Sequence, residues 1–113
     1  MKVRIIEESR IPKMLSWFIN ISAITIYPFI ISKYKMDQRT RTHEWIHIKQ
    51  QEELWVIGFY LLYVGFWLKN MIWNWQTPAL AYHNIPFELE AYAHDDDYTY
   101  PFRRKRFGWT KWI

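Results

Sequence analysis

Two uncharged stretches constrain this chain more than anything else in it. Residues 14 to 32, MLSWFINISAITIYPFIIS, carry no charge over 19 positions, and residues 54 to 68, LWVIGFYLLYVGFWL, carry none over 15. Such runs must be buried in a core, laid on a membrane or passed through one. The first has the length of a span, but Ser16, Asn20, Ser22, Thr25 and Pro28 interrupt it. Its second half, AITIYPFII, is β-branched and aromatic in the manner of a strand. It reads as a strand preceded by a short helix, with a transmembrane helix as the lesser alternative. Because Pro28 cannot donate to a ladder, that strand belongs at a sheet edge. The second run is short for a span. It reads as a core helix, a hairpin helix dipping into a bilayer surface, or a tilted span, with Gly58 and Gly65 allowing a neighbouring backbone to approach.

At 113 residues everything functional must sit on one domain, residues 1–113, with a basic aromatic tail over 98–113. Aromatic residues make up 20% of the chain, more than a core of this size needs, so part of that surface is expected to face a membrane, a partner or a substrate. The net charge of +4 favours anionic surfaces. With no cysteine, disulfides, thiolate metal sites and cysteine nucleophiles are excluded, and any metal must be held by His and carboxylates. The start, MKVRIIEESR, mixes charges and lacks a small-residue cleavage site, which predicts a cytoplasmic protein, and the two uncharged runs beside a cationic, Trp-rich end predict one peripheral to a membrane rather than spanning it.

KYKMDQRTRT is a polar connection, and Thr42 is a plausible N-cap for a helix opening at His43 and running on for roughly 25 residues. Residues 70 to 84 read as a loop with a short helical turn. A second helix begins near Pro86, with Asn84 or Ile85 as cap, and carries FELEAYAHDDD. In the tail, RRKR at 103 to 106 reads as a solvated run, a membrane-interface anchor or a phosphate-binding patch, and nucleic-acid binding is not expected from it.

Chemistry concentrates in HEWIH, residues 43 to 47. On a helix, positions four apart face the same way, so His43 and His47 can each offer a ring nitrogen to one zinc ion. Glu44 is turned about 100° from His43, towards a metal-activated water rather than the metal, which is where a general base is needed. The string is short enough to arise by chance, so context decides. Its context is an edge-type strand upstream, able to hold an extended peptide, and an acidic helix downstream.

On that second helix Glu88 and Glu90 diverge by about 200°, so only one can face the metal. Glu88 shares its face with Ala91, small enough for close helix approach, with Tyr92, a candidate donor to an oxyanion, and with Asp95, a candidate acceptor for a ligand imidazole. Glu88 is therefore preferred as third ligand, with Glu90, His83, His94 or an aspartate of 95 to 97 as alternatives. The bland alternative is that both glutamates only complement the helix dipole. Gln50 and Gln51, one turn past His47, read either as braces of the site or as ordinary surface amides.

HEWIH followed some forty residues later by FELEAYAHD resembles the gluzincins, metallopeptidases whose third zinc ligand is a glutamate on a later helix. The acidic helix is similar to that of the membrane-embedded prenyl-protein proteases and of the small phage-repressor-regulating metallopeptidases, where the first glutamate is the ligand. The string AITIYPFI, HEWIH, IPFELEAY also resembles small bacterial HExxH proteins. The likeness covers residues 22 to 97, and the family often has Asp or Asn where this chain has Tyr92. It implies a small α+β zincin-like domain, mostly helical, with an edge-type strand before the HExxH helix and a C-terminal glutamate-bearing helix. It implies a Zn2+-dependent metallopeptidase acting on a peptide or protein, with His43, His47 and Glu88 on the metal and Glu44 and Tyr92 catalytic. The rival reading is a non-enzymatic membrane-surface or partner-binding module with a structural or vestigial metal site.

Overall fold

The computed structural model of the chain describes residues 4–8, 23–32 and 35–113. They form a mostly helical α+β unit with one small sheet. The helix expected ahead of the strand lies outside the described residues. Strands β1 (Arg4–Ile6), β2 (Ala23–Ile26) and β3 (Phe29–Ser32) are ordered β1-β3-β2, with β1 parallel and β2 antiparallel to β3. The AITIYPFII stretch is thus a hairpin rather than one strand. Pro28 sits in its two-residue turn after a cis peptide bond, where a missing N–H costs no ladder bond, and its carbonyl accepts from Arg4 N at 2.8 Å. The edge position expected for the whole stretch holds for β2 alone: β3, which follows Pro28, is the central strand, paired on both sides.

Helix α1 (Gln38–Glu53) packs across the sheet through a cluster of Ile30, Met36 and Ile48. Asp37, not Thr42, is its N-cap: the Asp37 carboxylate accepts from Thr40 N at 2.8 Å. A carboxylate complements the positive end of the helix as well as its free N–H groups, so it outcompetes a hydroxyl further along. Thr42 is inside the helix, with its hydroxyl donating to the Gln38 carbonyl at 2.8 Å.

The helix expected to run on from His43 breaks after Glu53. Helix α2 (Ile57–Ile72) leaves at 113° to α1. Between them Trp55 and Val56 adopt φ of 58° and 62°, a region a β-branched residue enters only when its surroundings impose it. Thr25 supplies the constraint: its carbonyl accepts from Gln51 Nε2 at 3.2 Å before the bend and from Tyr60 Oη at 3.1 Å after it. Gln51 Oε1 also accepts from Tyr27 N at 3.0 Å. One side-chain amide therefore occupies backbone groups on the outer edge of the hairpin that a further strand would use.

Helix α3 (Pro78–His83) is tied to α2 by Asn70 Nδ2 donating to the Ala81 carbonyl at 3.0 Å and Trp67 Nε1 to that of Pro78 at 3.0 Å. Helix α4 (Pro86–His94) starts as predicted, capped at Ile85 with Pro86 in the first turn. A second apolar cluster joins Phe59 of α2 to Ile85, Phe87 and Trp109, with ring centroids 4.6 Å apart for Phe59–Phe87 and 4.7 Å for Phe87–Trp109. Part of the aromatic surplus is thus core.

Trp109 comes from the tail, which folds back as a helical turn α5 (Tyr100–Arg103) and a 3-10 helix (Gly108–Trp112). Within RRKR, Arg104 is not solvated. Its side chain is 4% exposed and bonds Glu90 at 2.8 and 2.7 Å and Glu53 at 3.0 and 3.2 Å. Gly108 is required beside it, since a Cβ there would come within 2.6 Å of Glu90 Oε2. No single helix among the described residues is long and apolar enough to cross a membrane.

Candidate metal centre

The i, i+4 spacing on α1 places His43 and His47 on the face that meets α4, and Glu88 in the first turn of α4 enters between them. His43 Nε2 lies 3.0 Å from Glu88 Oε1, His47 Nε2 lies 3.0 Å from Glu88 Oε2, and the two Nε2 atoms are 3.2 Å apart. All three residues are buried, at 7%, 5% and 2% exposure. Among the described residues these are the His and acidic side chains whose donor atoms converge as a metal site would require.

The outer ring nitrogens are also engaged. Gln50 Nε2 donates to the Phe87 carbonyl at 3.0 Å and to Glu90 Oε1 at 2.8 Å, which fixes the amide so that its Oε1 faces His47 Nδ1 at 2.8 Å. His47 therefore carries a hydrogen on Nδ1, which leaves Nε2 as the position that takes up either a second proton or a cation. For His43, Asp95 Oδ2 is 3.5 Å from Nδ1, and Arg39 Nε holds Asp95 Oδ1 at 2.8 Å. His47 is thus backed by a hydrogen-bond acceptor in the way metal-bound histidines are, and His43 has a carboxylate at ion-pair distance behind it.

Electrostatics agree. Burial by itself lowers the His47 imidazole, but the Glu88 charge and hydrogen bond, the Glu44 charge and Gln50 outweigh it and push the ring up to about 9. Burial likewise raises the Glu88 carboxyl, yet His47 and His43 pull it well below the usual carboxylate range. Three bases face one another, and the space between them favours positive charge, whether a proton or a cation. A tetrahedral zinc ion with bonds of about 2.0–2.1 Å separates its ligand atoms by about 3.3 Å. The two Nε2 atoms, 3.2 Å apart, fit that spacing, and Glu88 sets a different carboxylate oxygen 3.0 Å from each of them.

Glu44 is buried beside the cluster, with Oε2 accepting from the Thr25 hydroxyl of β2, and its charge is felt at His47, Tyr63, Tyr82 and Tyr92. Tyr92 is half exposed, with its ring centroid 4.5 Å from that of His43 and 4.4 Å from that of His83. Its phenol is pushed up to about 12 by burial and by the Glu88 and Glu44 charges, so it remains a proton donor. Glu90 points away from the histidines and is held by Arg104, Gln50 and Tyr100. His94 stacks on Tyr100 at 3.8 Å, and Asp97 pairs with Arg103 and Thr99. Of the alternatives to Glu88, Asp95 reaches the site through the far side of His43.

Two contacts escape sequence reading. Tyr63 Oη donates to Glu88 Oε2 at 2.7 Å, and Thr25 binds Glu44. Tyr63 lies in an uncharged run, and a phenol four positions after Phe59 on a helix was the available signal of an inward face. Burial, then the Glu88 charge, raises the Tyr63 phenol well above its usual value. Comparison with protein-family models, with curated proteins and with solved structures finds no match.

Proposed function

We propose that this protein is a zinc-dependent metallopeptidase of gluzincin type on a small zincin-like scaffold. The observation that carries the reading is the convergence of two imidazole Nε2 atoms and the Glu88 carboxylate at 3.0 to 3.2 Å, with the Glu44 carboxylate buried alongside. Mixed nitrogen and carboxylate donors suit zinc, and the likeness of HEWIH and FELEAYAHD to gluzincins supports the same assignment. When bound, the metal supplies Lewis acidity that polarises a substrate carbonyl and makes water a better nucleophile.

His43, His47 and Glu88 hold the ion, and Gln50 and Asp95 fix the two rings. Glu44, steadied by Thr25, takes a proton from the attacking water and returns it to the departing amine as the C–N bond breaks and a carboxylate forms. Tyr92, protonated at neutral pH, donates to the oxygen on which negative charge develops. The substrate is a peptide or protein, and a half-exposed Tyr92 at the His43 ring marks the side from which it approaches.

Burial of all three ligands below a tenth favours a second reading, a closed structural metal site on a non-enzymatic module. Glu44→Gln separates them. The catalytic reading expects zinc to stay bound while hydrolysis of casein or of a peptide copying residues 98–113 falls about 100- to 10,000-fold. Equal cleavage by both proteins, or zinc binding with no cleavage by either across a peptide library, selects the structural reading.

A further inference from the structure

Helix α2 turns an apolar face to the outside. Ile57, Leu61, Val64, Leu68 and Ile72 fall within about 80° of one another around the axis, and all five are exposed, Leu61 at 71%. Phe59, Tyr63, Phe66 and Asn70 occupy the opposite side and pack inward. Tryptophans mark both ends of the exposed stripe: Trp55 at 87% exposure before it, and Trp73 and Trp75, the latter at 91%, after it.

Charge selects the occupant. From Leu54 to Phe87 there is no carboxylate, and the helix carries the exposed cation Lys69. Two copies meeting through this face would each bring Lys69 and no acid to oppose it, which gives a homodimer no electrostatic match. Apolar residues ringed by tryptophan and a cation, without acids, instead match the boundary of an anionic bilayer, where indole rings sit at headgroup level. The helix is too short to cross, at about 24 Å against a hydrocarbon core of about 30 Å.

We propose that the outer face of α2 lies in the surface of an anionic lipid bilayer, with Ile57, Leu61, Val64, Leu68 and Ile72 in the acyl boundary and Trp55, Trp73 and Trp75 at headgroup level. Tyr63, on the inward side of the same helix, bonds Glu88. Docking therefore holds the metal centre within about one helix diameter, 10–12 Å, of the interface, where juxtamembrane segments are the accessible peptides. The surface stands apart from the hydrolase reading, and vesicle binding is measured without activity, so either can fail alone.

The test is cosedimentation of the full chain with phosphatidylcholine vesicles, with and without phosphatidylserine. The wild type is expected to sediment with phosphatidylserine vesicles and to be released partly by salt. Leu61→Glu/Leu68→Glu should lower the partition coefficient at least about 100-fold with unchanged circular dichroism. Trp75→Ser, at a position too exposed to affect folding, should lower it about tenfold. Wild type and variants remaining alike in the supernatant overturns the proposal. So does a vesicle-indifferent dimer that Leu61→Glu/Leu68→Glu dissociates, which would make the occupant a second copy, and so does resistance to alkaline extraction, which would make α2 part of a span.

Discussion

Helices α1 and α2 have the same length, 16 residues each, and opposite characters, and the fold reverses where one would expect them to go. The polar one is inside: eight of its residues are buried, among them His43, Glu44, His47, Gln50 and Gln51. The apolar one is half outside, with two buried residues, Phe59 and Asn70. Burying polar groups is tolerable only when each is paired, and in α1 each of the five has a hydrogen-bond partner on α4, the hairpin or α1 itself. Exposing apolar surface of this extent is tolerable when something other than water covers it. The two proposals divide along this inversion, the metal centre in the polar interior and the docking face on the apolar exterior.

The comparison breaks most severely at Arg104, which neutralises the buried carboxylates of Glu53 and Glu90. Arg104→Ala should cost about 3–5 kcal/mol, read as a lower urea midpoint, because two carboxylates are left buried without a counter-charge. Its pH dependence has a definite sign. Burial raises Glu90, but Arg104, Gln50 and Tyr100 outweigh it and hold the carboxyl below its usual value of 4.5. The group therefore stabilises the fold above that pH, and its contribution is lost as pH falls through its lower folded value. In Arg104→Ala the favoured state of Glu90 is the protonated one, so the deficit should narrow in acid, and a deficit independent of pH between 7 and 4 would refute the pairing.

Within α2 the two faces can be set against each other directly. Phe59→Ala, removing a ring that is 3% exposed, should cost about 3–5 kcal/mol, whereas Leu61→Ser, two residues on, should stay within about 0.5 kcal/mol. Comparable losses at both positions would mean that Leu61 is covered in the folded protein.

Gln50 sharpens the other half of the comparison. Gln50→Ala releases His47 Nδ1 and should weaken zinc affinity about 10- to 100-fold in a chelator competition, with the three ligands still present. Unchanged affinity would show that the ring is oriented by α1 alone. The smallest effect belongs to Trp55, whose positive φ is unfavourable for any residue but glycine. Trp55→Gly should raise stability by about 1 kcal/mol while lowering vesicle partition, two effects of opposite sign from one exposed ring.

What the sequence makes legible here is what depends on short spacings. Four residues from His43 to His47, and seven from Glu88 to Asp95, are helix geometry, and the structure places all four side chains around one point. Pro86 as a helix start is equally local. What stays hidden depends on partners distant in the chain. The bend at Trp55 and Val56 is set by the Thr25 carbonyl, about thirty residues away, and no propensity places two bulky residues at positive φ. Arg104 looks like one of four surface cations until Glu53 and Glu90 enclose it. That same contact explains why Glu88 and not Glu90 meets the two histidines, since Arg104, Tyr100 and Gln50 already hold Glu90.

The central claim is that His43, His47 and Glu88 form a metal centre, and its most direct test is metal stoichiometry by mass spectrometry of elements on purified wild type, Glu44→Gln and Glu88→Ala. The account predicts one zinc per chain in the wild type, the same in Glu44→Gln, and a sharp loss in Glu88→Ala with its circular dichroism retained. A folded wild type that takes up no metal, or full occupancy in Glu88→Ala, would contradict it.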